Sequence, residues 1–264
     1  MKKIWFALVA ALALVLGASA PAGAVTDGTL DGNGHPYVGL MVAQDAAGNP
    51  LWRCSGTLLS STVFLTAGHC TEAPAAHVEI WFQADVENGR PGNGYPNTGQ
   101  VGGTPHTIPS YDPDAFFLHD AGVVVLDTPM AMPAYGALPT ANQLDALKPR
   151  RSTTFTSVGY GLQKAFPDAA ASKELALRIR MVAHPHLLQI NTGFTGPQSL
   201  LLSNNANTGG TCFGDSGGPN FLGDSNVVAG VTSFGINSTC GGTGGVFRVD
   251  RPDVLEFVQG YLGD

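Results

Sequence analysis

The feature that most constrains this chain is a glycine-rich turn built around a serine. Residues 211–219 read Thr-Cys-Phe-Gly-Asp-Ser-Gly-Gly-Pro, which places Ser216 between glycines with Asp215 before it. Glycine adopts backbone angles closed to other residues and lets another group approach the main chain closely. In such a turn the N–H groups of Gly214 and Ser216 could point into one small space, where they would stabilise the oxyanion formed when a serine attacks a carbonyl carbon. The turn therefore predicts a nucleophile with its own anion-binding site.

The nucleophile hypothesis requires a base, because a serine hydroxyl reacts poorly at neutral pH. Residues 66–70 read Thr-Ala-Gly-His-Cys and supply His69 as the base. Asp120, at the head of an apolar run, supplies an acid that could orient the imidazole. Three other acids could fill this role: Asp112, Asp114 and Asp127. Turn positions suit them better, because they lie next to prolines or at the end of the apolar run.

The segments 66–70 and 214–219 closely resemble the two signatures of the chymotrypsin/trypsin family of serine endopeptidases. Asp120 is similar to the third signature, and the order His, Asp, Ser differs from the orders used by subtilisins and α/β-hydrolases. The resemblance implies a catalytic triad of His69, Asp120 and Ser216, with the N–H groups of Gly214 and Ser216 as the oxyanion hole. It implies hydrolysis of peptide bonds through an acyl-enzyme, without a metal or other cofactor.

The same resemblance implies an all-β fold of two six-stranded antiparallel Greek-key barrels packed together, with a C-terminal helix. The expected domains are residues 25–140, which carry His69 and Asp120, and residues 141–264, which carry Ser216 and the helix. Composition agrees, because 35 glycines and 18 prolines with few charges suit a turn-rich β protein. Apolar patterns predict strands at 37–43, 54–60, 62–67, 77–84, 122–126, 153–160, 174–182, 198–203, 226–234 and 245–249, and a helix over 251–262.

The first 24 residues have the pattern of a secretory signal peptide. Two lysines precede an apolar run of about 13 residues, which is too short for a membrane span of about 20. Ala22-Gly23-Ala24 fits a cleavage site better than Ala18-Ser19-Ala20, and a buried N-terminal helix is the weaker alternative. The prediction is a secreted, extracellular chain with no membrane attachment after cleavage.

Cleavage after Ala24 would make Val25 the first residue. In the family the new α-ammonium group folds inward and pairs with the aspartate before the nucleophile, which here is Asp215. The resemblance therefore implies an ion pair between Val25 and Asp215, although Val-Thr-Asp-Gly departs from the usual Ile/Val-Val-Gly-Gly start.

Charge and cysteine content narrow the partners and the compartment. The formal charge is −7, and it becomes −9 once the two leader lysines are removed, which argues against nucleic acid or an anionic membrane as partner. The expected partners are protein or peptide substrates and proteinaceous inhibitors, and the chain is expected to be a monomer.

Four cysteines in an exported chain predict disulfides, with three pairings open; a zinc site is set aside because no Cys-x-x-Cys pair occurs. The resemblance selects Cys54–Cys70 and Cys212–Cys240.

The resemblance also assigns a primary specificity pocket, formed by Gly210, Thr211, Ser233, Phe234, Gly235 and Gly245. Gly210 stands at the pocket base, where an enzyme specific for Lys or Arg would carry an aspartate. Small residues at 235 and 245 leave the pocket open, so a preference for large apolar or aromatic residues is expected.

Two other functions compete with an endopeptidase. A catalytically silent binding protein on the same fold is one, but such relatives typically lose the histidine or the serine, and both are present here. A serine esterase is the other: residues 214–218 fit the Gly-x-Ser-x-Gly spacing, yet the chain lacks alternating βαβ units.

Overall fold

A computed structural model describes residues 25–163, 176–193 and 195–263. The predicted signal peptide, residues 1–24, lies outside the described residues. Within them the chain forms fourteen strands and one α-helix. Their bounds are β1 (Thr29–Leu30), β2 (Val38–Gln44), β3 (Pro50–Leu58), β4 (Val63–Thr66), β5 (His77–Trp81), β6 (Val101–Thr107), β7 (Gly122–Leu126), β8 (Arg150–Gly159), β9 (Met181–Ala183), β10 (His186–Ile190), β11 (Ser199–Asn204), β12 (Pro219–Leu222), β13 (Val228–Gly235), β14 (Gly242–Arg248) and α1 (Pro252–Leu262).

Strands β2 to β7 close into a six-stranded antiparallel barrel, in the order β2-β3-β4-β7-β6-β5. Every residue of β2 and of β4 is buried, so these strands read as continuous apolar runs rather than alternating ones. The predicted hairpin between β3 and β4 is present, and its turn is fixed by Ser60, whose hydroxyl oxygen accepts the N–H groups of Thr62 and Val63.

The second barrel closes through one long strand. β8 has ten residues and pairs with β10 on one side and β12 on the other, which joins the ring β8-β10-β11-β14-β13-β12. β9 pairs with the end of β8, and β1 pairs with β9. The predicted all-β fold of two six-stranded antiparallel barrels is confirmed.

The C-terminal helix packs against the first barrel although it follows the second. α1 begins at Pro252, where a fixed φ and a missing N–H cost nothing, and buries Val254, Leu255 and Val258. These side chains join the core cluster that contains the first barrel, next to β4 and β7. No helix among the described residues combines the length and the apolarity needed to cross a membrane.

The strand predicted over 174–182 is wrong for most of its described length, because only Met181–Ala183 is a strand there. The backbone groups of Leu177 and Arg178 form hydrogen bonds with loops instead of with a neighbouring strand. The amide of Gln163 donates to Leu177 O at 2.8 Å and accepts from Leu177 N, while the carbonyl of Arg178 accepts N–H groups from Val86 and Glu87. The segment with the alternating pattern therefore packs against loops of both barrels.

Arg180 lies at the junction of the two barrels and is fully buried. Its guanidinium binds the Asp31 carboxylate at 2.8 Å and also donates to Val38 O, Phe82 O and the Tyr160 hydroxyl oxygen. Burial raises the pKa of Asp31, but the hydrogen bonds from His35 and Arg180 outweigh it, so the net pKa is lowered. One cation thus holds the N-terminal segment, the first barrel and the second barrel together.

Breaking this pair should destabilise the fold strongly. Asp31→Asn keeps the side-chain size but leaves the Arg180 guanidinium buried without a counter-charge, so the free energy of unfolding should fall by about 3–5 kcal/mol in urea titrations. Arg90→Gln, which breaks a partly exposed pair with Glu87, is the control and should cost less than about 1 kcal/mol. An equally small loss for both variants would contradict the role given to Arg180.

Candidate active site

The turn that carries Ser216 is tight and depends on its glycines. Asp215 N donates to Cys212 O at 3.0 Å, and Gly214 has a φ of +94°, in the region that favours glycine. Gly217 has a φ of +76°, and a Cβ added to it would lie 2.0 Å from Thr66 Oγ1. The local sequence therefore admits no bulk at these positions.

The first barrel fixes the position of this turn through Ser55 of β3. Ser55 N donates to Ser216 O at 2.7 Å, and the Ser55 hydroxyl donates to Gly214 O at 2.9 Å. Within the described residues, the N–H groups of Gly214 and Ser216 donate no hydrogen bond. Two free backbone donors flank the catalytic candidate, which is the arrangement an oxyanion hole requires.

Asp120 holds His69 on the opposite side of the site. The backbone N–H of His69 donates to Asp120 Oδ1 at 2.9 Å, and the ring atom His69 Nδ1 lies 2.9 Å from Asp120 Oδ2. The Ser233 hydroxyl donates to Asp120 Oδ2 at 2.5 Å. Because the carboxylate is fully buried and takes donors from both barrels, it fixes the imidazole ring through Nδ1 and leaves Nε2 free to act as a base.

Strand pairing brings these residues together. Thr66, at the end of β4, pairs with Gly122, at the start of β7. The short 3-10 turn Gly68–Cys70 and Asp120 therefore leave the same edge of the first barrel. The imidazole of His69 and Ser216 line one pocket of about 440 Å³ between the barrels.

Comparisons with known proteins identify the family of this chain. The family model Trypsin matches residues 31–252. The chain belongs to the trypsin family. Serine protease 1 and Serine protease 2 of Drosophila melanogaster are each 27% identical over 241 residues, covering 86% of this chain and 78% of theirs.

Solved structures show the same fold at lower identity. HL collagenase superposes with a TM-score of 0.64 at 20% identity, covering 87% of this chain and 94% of its own. Human heparin binding protein superposes with a TM-score of 0.63 at 19% identity, covering 88% and 93%. These two likenesses establish the trypsin-family architecture.

Both disulfides expected from the family resemblance are formed. Cys54 and Cys70 are joined across a Cα–Cα distance of 6.2 Å, and Cys212 and Cys240 across 5.4 Å. The first links β3 to the His69 turn and the second links the Ser216 turn to the segment after β13. The base and the nucleophile candidate each lie beside a covalent cross-link that limits their movement.

The predicted specificity residues divide into two groups. Thr211, Ser233, Phe234 and Gly235 line the 440 Å³ pocket, whereas Gly210 and Gly245 are not among its lining residues. The side chain of Asn204 packs where a Cβ on Gly210 would point, within 2.2 Å, and the ring of Phe234 covers Gly245. A small residue at position 245 therefore makes room for an aromatic ring instead of opening the pocket.

Several lining residues were missed by sequence reasoning. Phe116 packs edge-on against the His69 ring, with centroids 5.4 Å apart, and Tyr111 and Glu72 complete that wall. Burial and the nearby Glu72 carboxylate raise the pKa of Tyr111. Phe116 lies in a short 3-10 helix, Pro113–Leu118, and Tyr111 and Glu72 lie outside helices and strands, so no periodic pattern could have shown that they line the pocket.

Asp215 is fully buried beneath the turn. It accepts the N–H groups of Gly161 at 2.7 Å and Cys212 at 2.9 Å. Burial raises its pKa to about 7, against the opposing effects of these hydrogen bonds and the Arg53 charge. A buried carboxylate in this state lacks a strong cationic partner among the described residues.

Val25, the expected partner of Asp215, is fully buried with a φ of +67°. It packs with Met181 and Ala183, and the next residue, Thr26, pairs with Gly210 through an N–H···O bond of 3.0 Å. The start of the predicted mature chain is therefore inserted into the second barrel, close to the segment that leads to Ser216.

The pKa of His69 should report its contact with Asp120. Burial lowers that pKa, but the charge and hydrogen bond of Asp120, with a smaller effect of Glu72, raise it above the ordinary 6.5. In Asp120→Asn the opposing charge is lost, so the imidazole should lose its proton at a lower pH than in the parent. Imidazole NMR titration measures both proteins, with the other histidines as internal controls; an unchanged His69 midpoint would contradict the assignment.

Proposed function

We propose that this protein is a serine endopeptidase that uses Ser216 as nucleophile. The observation that carries the proposal is a carboxylate-held imidazole that lines one pocket with Ser216, beside two backbone N–H groups that donate no hydrogen bond within the described residues. In this proposal His69 Nε2 accepts the Ser216 proton as Oγ attacks the scissile carbonyl carbon. The same imidazolium then gives that proton to the leaving amine.

Asp120 and the turn have separate tasks in this mechanism. Asp120 keeps the proton on His69 Nδ1 and stabilises the imidazolium, while the Ser233 hydroxyl holds the carboxylate in place. The N–H groups of Gly214 and Ser216 bind the oxyanion, a contribution of about 3–4 kcal/mol for each donor. Water, activated by His69, then hydrolyses the acyl-enzyme on Ser216.

The proposed substrate preference is for large apolar or aromatic residues before the scissile bond. One wall of the pocket carries a hydroxyl group and two aromatic rings, but no carboxylate; these belong to Thr211, Phe213 and Phe234. Glu72, the acid on the opposite wall, lies close enough to Tyr111 to raise the pKa of its phenol. A lysine or arginine entering between Thr211 and Phe234 would find no buried counter-charge there, which disfavours it.

The proposed setting is extracellular, after removal of residues 1–24. Two disulfides are in keeping with an oxidising compartment, and the apolar leader predicted from the sequence provides the route. In this proposal, cleavage after Ala24 frees the α-ammonium of Val25, which pairs with Asp215 and stabilises the turn below Ser216.

The reaction can be tested by labelling and cleavage together. A serine-directed organophosphate should label Ser216, located by mass spectrometry, and the mature protein should cleave a mixed peptide pool after large apolar residues. Ser216→Ala should lose the label and reduce kcat by about 10⁶. Ser225→Ala, at an exposed turn, is the control and should match the parent. Cleavage of esters alone would favour an esterase, and silence in both assays a binding protein.

The ion pair can be tested through stability at different pH values. A chain that starts at Val25 should be more stable at pH 8 than one with an added glycine before Val25, by about 3 kcal/mol. The advantage should shrink as pH falls below about 7, because Asp215 without the ammonium is then protonated. Asp215→Asn should abolish the difference between the two chains; a difference that persists in that variant would contradict the pair.

A further inference from the structure

Arg53 carries a half-buried guanidinium whose charge is not matched by any described carboxylate. The other shielded arginines are all paired: Arg178 with Glu87, Arg180 with Asp31, and Arg248 with Asp250. Among the described residues, Arg53 takes part in no salt bridge and donates no hydrogen bond, although it is only partly exposed. Its guanidinium donors are therefore free to bind a ligand of opposite charge.

The guanidinium lies against the turn that carries the nucleophile. A Cβ placed on Gly214 would be 2.9 Å from Arg53 Nη2 and 3.2 Å from Arg53 Nε. The charge also lowers the pKa of Asp215, but no hydrogen bond joins the two; the carboxylate oxygens accept from Gly161 N and Cys212 N. Arg53 is therefore close to Gly214 without being bound to the acid beneath it.

Arg53 lies beside Gly214, outside the 440 Å³ pocket. It is not among the lining residues of that pocket, and its neighbour Cys54 is joined to Cys70, the residue after His69. With the acyl side of a peptide in the pocket and its carbonyl oxygen at the Gly214 and Ser216 N–H groups, the leaving amine must face His69. The peptide beyond that amine then passes the Cys54–Cys70 bridge and Arg53.

We propose that Arg53 is a specificity-determining residue that binds an acidic side chain within the first two residues after the scissile bond. A guanidinium presents its donors in a planar fork that matches a carboxylate, and such charge-assisted bonds are stronger than neutral ones. The inference rests on the proposed endopeptidase function, and it names the substrate class on the leaving-group side.

The experiment uses the mature protein and peptides identical before the scissile bond. Matched pairs carry Asp or Asn, and Glu or Gln, at the first or the second position after it. For the parent, kcat/KM should be about tenfold higher for the better-placed acid than for its amide, as one charge-assisted hydrogen bond provides. The ratio should shrink in 1 M NaCl, because the pair is partly exposed.

Variants assign the preference to Arg53. In Arg53→Gln the acid-to-amide ratio should fall to about 1, and in Arg53→Lys most of it should remain because the charge is kept. Arg150→Gln removes an exposed cation elsewhere and should keep the parent ratio. The ratio is read within each protein, so a general change in activity does not affect it.

The possible outcomes separate the two proposals. Cleavage with a parent ratio near 1 at both positions, or with the same ratio in Arg53→Gln, would overturn this inference alone. Absence of cleavage of every peptide, with no label on Ser216, would overturn the endopeptidase function and this inference with it.

Discussion

The buried ion pair between Arg180 and Asp31 is the interaction on which the arrangement of the two barrels depends. Its guanidinium donates to main-chain oxygens of Val38 and Phe82 in the first barrel and to Tyr160 of the second. A displacement of one barrel would leave several of these buried polar groups without hydrogen-bond partners. The folded state would then lose several kcal/mol of stability. The catalytic candidates are divided between the barrels, so their mutual distances depend on this junction.

Two further contacts cross the same junction close to the site. The Ser233 hydroxyl, from the second barrel, reaches the Asp120 carboxylate of the first, and Ser55 of the first barrel binds the carbonyls of Gly214 and Ser216. Asp120 and Asp215, both fully buried at the site, differ in their partners. Asp120 is surrounded by donors from both barrels, whereas Asp215 has two backbone donors and a pKa raised to about 7. His69 forms an ion pair with Asp120 when it is protonated, whereas no cation among the described residues forms a salt bridge with Asp215.

The sequence predicted the parts of this protein that local chemistry specifies. The turn around Ser216 needs glycines at 214 and 217, and runs such as Gly122–Leu126 are apolar throughout, so both could be recognised in advance. β6 could not be predicted from the sequence, because Val101–Thr107 contains glycines and a proline, which disfavour strands. This segment is a strand because it pairs with β5 on one side and β7 on the other. The contact of Phe116 with His69 was beyond reach because it joins distant segments, and that of Asn204 with Gly210 because it depends on how the short loop between them folds.

The backbone of Val25 has a consequence for processing. A φ of +67° lies in a region that a branched residue occupies only at a cost of about 1–3 kcal/mol. That dihedral exists only while a peptide bond precedes Val25. Hydrolysis of the 24–25 bond would remove the strain and create a charge at the same residue. If the chain is cut at that bond, the product is therefore relieved of a backbone strain that any chain extended before Val25 retains.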